Sequence, residues 1–405
     1  MSFKFPKTII KRNDYLNRVL PFIDQNLIKV FSGQRRVGKS YMLFQIMQYL
    51  LDRDPQTAII YINKEDIAFA DLQTSQQLND YVIKNRSTTA KTYVFIDEIQ
   101  DIKNFETALR SLLLDENLDL YCTGSNAKLL SGDIAGVLSG RSIEMVVYSL
   151  SYAEFLVFHT LEDTTQSLER YFKYGGLPYL KNIGLEEGVA FEYLKNIYHT
   201  IVYRDIINRF AIRNTAFLEQ LVLFLASNTG SLFSAKKISD FLKSQHINIA
   251  SNQVQTYSDY LVNAFLIHRV SRYDVVGKRI FETGEKYYFE NLGIRNALWG
   301  YRLEDRGKIM ENIVYNHLVC RGFEVHVGTI GALEIDFVGQ RAGEKLYVQV
   351  AVSINEPQTL AREFGNLKKI NDNFPKMVVT LDNFQGNTDE GIIAVDLRTF
   401  LLTTN

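Results

Sequence analysis

One eight-residue run near the amino end constrains this chain more than anything else in it. Gly33-Gln34-Arg35-Arg36-Val37-Gly38-Lys39-Ser40 fits G-x-x-x-x-G-K-[ST]. It follows the apolar run Ile28–Phe31, which reads as a strand, and precedes the helical run Tyr41–Leu51. That strand–loop–helix setting separates a phosphate-binding loop from an ordinary glycine-rich turn. The glycines let the backbone curl so that its N–H groups face phosphate oxygens, and the helix N-terminus adds partial positive charge. Lys39 then reaches the β- and γ-phosphates, and the Ser40 hydroxyl is placed to hold Mg²⁺. Arg35 and Arg36 lie inside the loop and need be no more than solvated cations.

The chemistry such a loop needs is met downstream. Tyr93-Val-Phe-Ile-Asp97-Glu98 is an apolar strand that ends in two carboxylates. A buried parallel strand delivers both to the carboxyl edge of its sheet, where ligands bind in open α/β folds. Asp97 is expected to hold Mg²⁺, directly or through water, and Glu98 to orient and deprotonate the attacking water. The next strand ends Tyr121-Cys-Thr-Gly-Ser125-Asn126. Either Ser125 or Asn126 is expected to meet the γ-phosphate or the lytic water, although Gly-Ser-Asn also suits a plain turn. Gly140-Arg141 precedes the fifth strand, and two readings stay open for Arg141: a guanidinium serving phosphate charge in its own or a neighbouring subunit, or a surface arginine.

At 405 residues the chain is long enough for two to four domains. Short β-rich runs at Ile28–Phe31, Ala58–Ile62, Tyr93–Ile96, Leu118–Thr123 and Ile143–Tyr148 alternate with helical runs, which implies a parallel sheet covered by helices over 1–155. Helices dominate 156–228, where Glu187–Phe210 reads as one long helix and Gly175-Gly-Leu-Pro178 as a break. Residues 229–292 give a short helix, Ala235–Ser244, a longer one, Ser251–Asn263, then β runs at Leu266–Tyr273 and Lys286–Phe289, an order that suits a winged helix. Residues 293–405 read as a second α/β unit whose final strand lies near Met377–Thr380. The fold class expected is therefore α/β: a P-loop NTPase sheet with a helical domain, a winged-helix module and a C-terminal α/β domain.

Composition excludes several classes. The 45 basic and 46 acidic residues leave no global positive field, so nucleic acid could be held only by a local patch. The longest apolar runs, such as Leu221–Ala226, fall far short of the ~20 residues of a spanning helix, and no apolar h-region follows the first residues. A soluble, cytoplasmic chain is expected. Cys122 and Cys320 are the only cysteines, and the six histidines include no i, i+4 pair, so neither a disulfide framework nor a zinc site is expected. The absence of an Asn-Lys-x-Asp motif favours adenine over guanine weakly.

Taken together, the chain resembles the AAA-type P-loop ATPases of bacteria and archaea that carry a C-terminal domain of uncharacterised function. The matching pieces are the 33–40 loop, Phe95-Ile-Asp-Glu-Ile-Gln100, Thr123-Gly-Ser-Asn126, Leu138-Ser-Gly-Arg141, Tyr148-Ser-Leu-Ser-Tyr-Ala-Glu-Phe155, Gly175-Gly-Leu-Pro178 and Tyr203-Arg-Asp205. The resemblance implies that the loop binds ATP, that Ser40 and Asp97 hold Mg²⁺, that Glu98 is the catalytic acid pair's base, and that Ser125 or Asn126 is a polar sensor. The C-terminal unit looks like a nuclease-type fold with Glu311 and Asp336 in place. Its acid-x-Lys position reads Gln349-Val-Ala351, however, so an inactive remnant is expected. DNA could meet Ser251–Asn263, aided by Lys236, Lys237, Lys243, Arg269, Arg272, Lys278 and Arg279; a packing or lid role is the other reading of that module. A protein partner or a second copy of the chain is equally open. The function expected is Mg²⁺-dependent ATP hydrolysis coupled to conformational change, the alternative being a slow nucleotide-dependent switch or DNA-binding regulator.

Overall fold

The computed structural model describes residues 5–127, 138, 140–277, 279–382 and 388–403. Ser139 and Lys278 lie outside the described residues. The chain divides into two compact units: Met1–Tyr148 with Asn263–Phe265, and Ser149–Val262 with Leu266–Asn405.

The first unit runs α1 (Asn13–Val19), β1 (Ile28–Ser32), α2 (Lys39–Arg53), β2 (Ala58–Asn63), α3 (Ser75–Asn85), β3 (Thr92–Asp97), α4 (Phe105–Leu112), β4 (Leu118–Gly124) and β5 (Ser142–Val146). Its five strands lie in the order β2-β3-β4-β1-β5, and every pair is parallel. β1, β3 and β4 are buried at every residue, as continuous apolar strands covered on both faces must be. This is the P-loop NTPase arrangement expected from the sequence. The core closes around Val30, Ile62, Val94, Ile96, Leu109 and Leu120. α3 has no counterpart in the apolar periodicity, because only Leu78 and Val82 of its residues are buried. Its start is marked instead by a capping box, Thr74 with Gln77.

Near the amino end of the sheet, Lys29 of β1 and Asp119 of β4 are both fully buried and form a salt bridge. The Lys29 ammonium also donates to the Gln25 carbonyl at 2.8 Å, and Asp119 accepts from the Tyr121 hydroxyl at 2.8 Å and the Asp24 N–H at 2.9 Å. A buried ion pair is tolerated only when its remaining hydrogen-bonding capacity is satisfied this way.

The second unit begins with helices Tyr152–His159 and Thr165–Tyr174. The single helix expected over Glu187–Phe210 is instead an α-helix, Glu187–Thr200, that passes into a π-helical stretch, Ile201–Ile207, carrying Tyr203-Arg-Asp205. Asp205 is buried there and Tyr203 exposed. Helices Ala235–Ser244 and Ser251–Asn263 follow as read. β6 (Ile267–Asp274) and β7 (Arg279–Phe289), the strands read as a wing, do not stand apart. β6 pairs in parallel with β8 (Glu324–Ile330), so the hairpin forms one edge of an eight-stranded sheet. The sheet continues through β9 (Leu333–Arg341), β10 (Glu344–Ala351) and β11 (Lys376–Thr380), then β13 (Ile392–Asp396) and the short β12 (Thr388–Asp389). β11 is therefore not the last strand. β13 pairs with it in parallel. The helix Arg306–Cys320 packs Ile309, Ile313 and Val314 into the core beneath.

The motif Gly175-Gly-Leu-Pro178 belongs to the packing of this unit. The Gly176 carbonyl accepts the Leu150 N–H at 2.7 Å. A Cβ on Gly176 would lie 2.4 Å from the Leu150 carbonyl oxygen, so only glycine permits the approach.

The half-buried His268 and the buried His317 of this unit have their pKa pushed down from 6.5 by desolvation, to about 4 and about 3, with Arg321 adding to the effect at His317. The unfolded chain thus takes up protons below pH 6.5 that the folded chain refuses. Stability is complete above that pH and is lost progressively as the pH falls toward the folded values, with a slope of at most about 1.4 kcal/mol per unit for each group. Urea midpoints measured at neutral and mildly acidic pH should therefore fall on acidification, and His317→Leu should flatten part of the decline; a midpoint indifferent to pH in that window would contradict the assignment.

Candidate functional site

Strand order assembles the site. β1 ends at Ser32 and hands the chain to the loop, while β4, which lies between β1 and β3, pairs Ser32 with Gly124 and Ile96 with Cys122. The loop 33–40, the pair Asp97–Glu98 and the segment Thr123–Asn126 consequently share one edge, the carboxyl end of the sheet.

Gly33 has φ 143°, and a Cβ there would lie 2.2 Å from the Val147 carbonyl oxygen, so the loop leaves β1 through a space that only glycine fits. Gln34, Arg35, Val37 and Lys39 are buried, and Arg36, with φ 71°, is exposed. Arg35 lies 3.6 Å from Glu65, and the Gln34 amide donates to the Phe265 carbonyl at 2.8 Å within the same unit. Gly38, at φ 101°, caps the start of α2. The Lys39 ammonium donates to the carbonyls of Gly33 and Gln34 at 3.0 and 2.9 Å, which aims it across the mouth of the loop. Arg12 supports the loop from behind, donating to the Val37 carbonyl at 3.2 Å and the Tyr148 carbonyl at 3.0 Å.

Asp97 is buried and surrounded by hydroxyls. Its Oδ1 accepts from Thr123, its Oδ2 lies 3.3 Å from the Tyr61 hydroxyl, and the Ser40 side chain bonds the same carboxylate. Burial raises its pKa above the ordinary carboxylate range; the hydroxyls of Thr123 and Ser40 oppose that rise, Glu98 adds to it and Lys39 reduces it. Glu98 follows at φ 59°, with its N–H on the Thr123 hydroxyl at 2.9 Å and its carboxylate held by the Gln100 amide. Ser125 is fully buried and Asn126 partly so, both just past the end of β4.

These donors suit Mg²⁺. A hydroxyl and a carboxylate in mutual contact are hard oxygen ligands, and magnesium at phosphate sites typically takes one or two protein oxygens, with waters and phosphates completing the octahedron. No group of three or more His, Cys, Asp or Glu that could hold a metal ion occurs among the described residues.

Arg141 is not brought to this edge. Its carbonyl accepts the N–H of Ile28, and Ile28 pairs with Ser142, so it sits exposed at the amino end of the sheet. The length of β1, about 13 Å at ~3.3 Å per residue, separates it from the loop of its own chain. A parallel strand places the residues before it and the loop after it at opposite ends. Sequence patterns also passed over Thr123 and Tyr61 as contacts of Asp97. The signal for Thr123 was its register one residue beyond Cys122, opposite Asp97.

In the second unit, Glu311, Asp336 and Gln349 are brought close, and Lys286 of β7 joins the group. Lys286 lies 2.9 Å from Glu311 and 2.8 Å from Glu334. Gln349 accepts the Asp336 N–H at 2.6 Å and donates to the buried Glu363 at 2.6 Å. Burial, and next the Glu311 charge, hold the Asp336 carboxyl well above its usual range. Of the cations expected to face DNA, Arg269 is paired with Asp259 and Glu285.

Residues 25–156 match the AAA domain, and residues 165–305 match a domain of unknown function (DUF8612). An uncharacterized protein of Haemophilus influenzae is 35% identical over 98% of this chain and 99% of its own length. One from Methanocaldococcus jannaschii is 30% identical over 86% of this chain and 80% of its length. Among solved structures, the Walker-type ATPase of Pyrococcus abyssi is similar to 72% of this chain and 96% of its own at 16% identity, with a TM-score of 0.48.

Gly33→Ala should destabilise the first unit by at least ~1–3 kcal/mol from backbone strain alone and weaken nucleotide binding with it. Denaturant unfolding and calorimetry with ATP check both; unaltered values would mean that the close approach to Val147 does not set the loop.

Proposed function

Since this chain belongs to the family of AAA-domain proteins represented by those bacterial and archaeal relatives, we propose that it binds ATP with Mg²⁺ at Gly33–Ser40 and hydrolyses it, coupling turnover to a change of conformation. The observation that carries this reading is the meeting of Ser40, Lys39 and the buried Asp97 at the ends of β1 and β3. Backbone N–H groups of the loop and the start of α2 would cradle the phosphates, and Lys39 would turn from its own carbonyls to the β- and γ-phosphates. Ser40 and Asp97 would hold Mg²⁺, which supplies charge neutralisation on the transferring phosphoryl group. Glu98 would take the proton of the attacking water, and Ser125 or Asn126 would meet the γ-phosphate.

Arg141, at the opposite edge, fits this reading only by serving the site of a neighbouring copy, so we assign it a role in trans within a homo-oligomer. The C-terminal unit is proposed to serve binding or assembly without cleaving DNA: the acid-x-Lys position holds Gln349 and Ala351, and Lys286 already pairs with Glu311 and Glu334. No helix among the described residues is long and apolar enough to cross a membrane, and the proposed setting is the cytoplasm.

Lys39→Ala should abolish ATP binding, whereas Glu98→Gln should keep binding and lose turnover by about 10²–10⁴-fold. Steady-state ATPase rates beside calorimetric affinities decide this. A wild type that retains ATP without turnover would support the slow switch instead, and equal rates in wild type and Glu98→Gln would remove Glu98 from its role.

The trans assignment has its own measurement. Arg141→Ala alone should lose about 10³-fold or more in turnover. Mixing it with Glu98→Gln should restore activity above the sum of the two, because mixed interfaces join an intact Glu98 to an intact Arg141. A mixture no more active than its parts would refute service to a neighbour.

A further inference from the structure

The pair Asp97 and Glu98 is usually thought of as two acids on one strand, yet here their relation is set by a third residue on the next strand. Thr123 is the penultimate residue of β4 and is fully buried between β1 and β3. Its single hydroxyl proton goes to Asp97 Oδ1, and its oxygen accepts the Glu98 N–H at 2.9 Å. A threonine hydroxyl has one proton and two lone pairs, so this one makes a donor bond to the first acid and an acceptor bond to the second.

Both bonds matter for geometry. Glu98 adopts φ 59°, a left-handed conformation that costs a residue other than glycine roughly 1–2 kcal/mol and persists only where the surroundings hold it. The Thr123 oxygen holds it by accepting the N–H of that residue. On the other side, Asp97 shares its carboxylate with Ser40 and lies 3.3 Å from Tyr61, so the direction in which it faces Ser40 depends on where Thr123 anchors Oδ1. Gln100 then fixes the Glu98 carboxylate from within the following turn. Ser125 and Asn126, the polar residues that the sequence singled out after β4, lie just past the strand end.

We infer that Thr123 is a positioning residue that ties the Mg²⁺-holding carboxylate of Asp97 to the water-activating carboxylate of Glu98, so that one hydroxyl sets both. The inference rests on the proposed reading of the site as a Mg²⁺–ATP site and deepens it. It makes Thr123 act through its two neighbours, with no contact to nucleotide required.

The test uses the full chain and ATP itself as probe. Affinity for ATP is measured by calorimetry in EDTA and in Mg²⁺, for wild type, Thr123→Val and Thr123→Ser, beside thermal melting and steady-state turnover. Valine keeps the shape and deletes both bonds; serine keeps both bonds and deletes a methyl. The Mg²⁺-dependent gain in affinity should shrink about 10–100-fold in Thr123→Val, the range seen when a partner of a metal ligand is removed, and turnover should fall with it. Thr123→Ser should restore both. If valine does not fold, Thr123→Cys, of similar size but with only a weak donor, should fall between serine and an acid-site knockout such as Asp97→Asn. A wild-type Mg²⁺ gain in Thr123→Val, or a serine variant as impaired as the valine one, would overturn the inference while leaving the ATP-binding reading intact. A wild-type chain that binds no ATP in either buffer would instead overturn the parent reading, and this inference with it.

Discussion

The position of β4 between β1 and β3 is the constraint on which the rest of the first unit depends. Parallel pairing on both sides of β4 brings Ser32, Gly124 and Asp97 to one level, so three separate stretches of sequence end at the same edge. A different strand order would leave the loop and the acids intact as motifs but far apart. The same pairing carries Arg141 to the other end, because a residue that precedes a parallel strand cannot share an edge with the loop that follows its neighbour. The gathering of the loop with the acids and the separation of Arg141 from them are thus two outcomes of one topology.

Electrostatics then determines what the edge can hold. Asp97 is buried deeply enough that an isolated carboxylate would favour its proton. The hydroxyls of Thr123 and Ser40 and the Lys39 ammonium offset that tendency, and the hydroxyl contacts orient the carboxylate. The Lys29–Asp119 pair shows the opposite solution in the same unit. There the ammonium is bonded directly to its carboxylate and every remaining partner is protein, so the charge is spent on holding the sheet. The Lys286 group in the second unit resembles Lys29 in this respect, and that is a physical reason to treat it as structure in preference to chemistry.

Much of this was legible in the sequence because it rests on local patterns. The loop 33–40 and Tyr93–Glu98 carry their meaning in consecutive residues, and the five fully or largely apolar runs appear as strands within one or two residues of their observed ends. The features that were not legible depend on pairing between distant segments. β6 and β7 have the alternation of a free-standing hairpin; only their partner β8 makes them a sheet edge. The π-helical stretch at Ile201–Ile207 has the same apolar spacing as the α-helix before it, so periodicity runs through it without a break. Thr123 looked like one polar residue in a turn-prone run, and its importance appears only when β4 is set beside β3.

The family-specific motifs therefore sort by physics into two kinds. Phe95–Gln100 and Thr123–Asn126 gather around carboxylates, and their side chains are fixed by hydrogen bonds to groups that a nucleotide would use. Gly175-Gly-Leu-Pro178 and the Ser149–Tyr152 segment instead join segments of the second unit to one another. Ser149 is bound through its N–H and hydroxyl to Glu290, at 2.6 and 2.8 Å, and Gly176 closes onto the Leu150 backbone. A substitution in the first kind changes what the edge binds, whereas one in the second changes whether two backbone segments can approach. Both kinds look alike as strings of letters, and only the second would be expected to tolerate relocation of the polar atoms so long as the spacing between the backbones is kept.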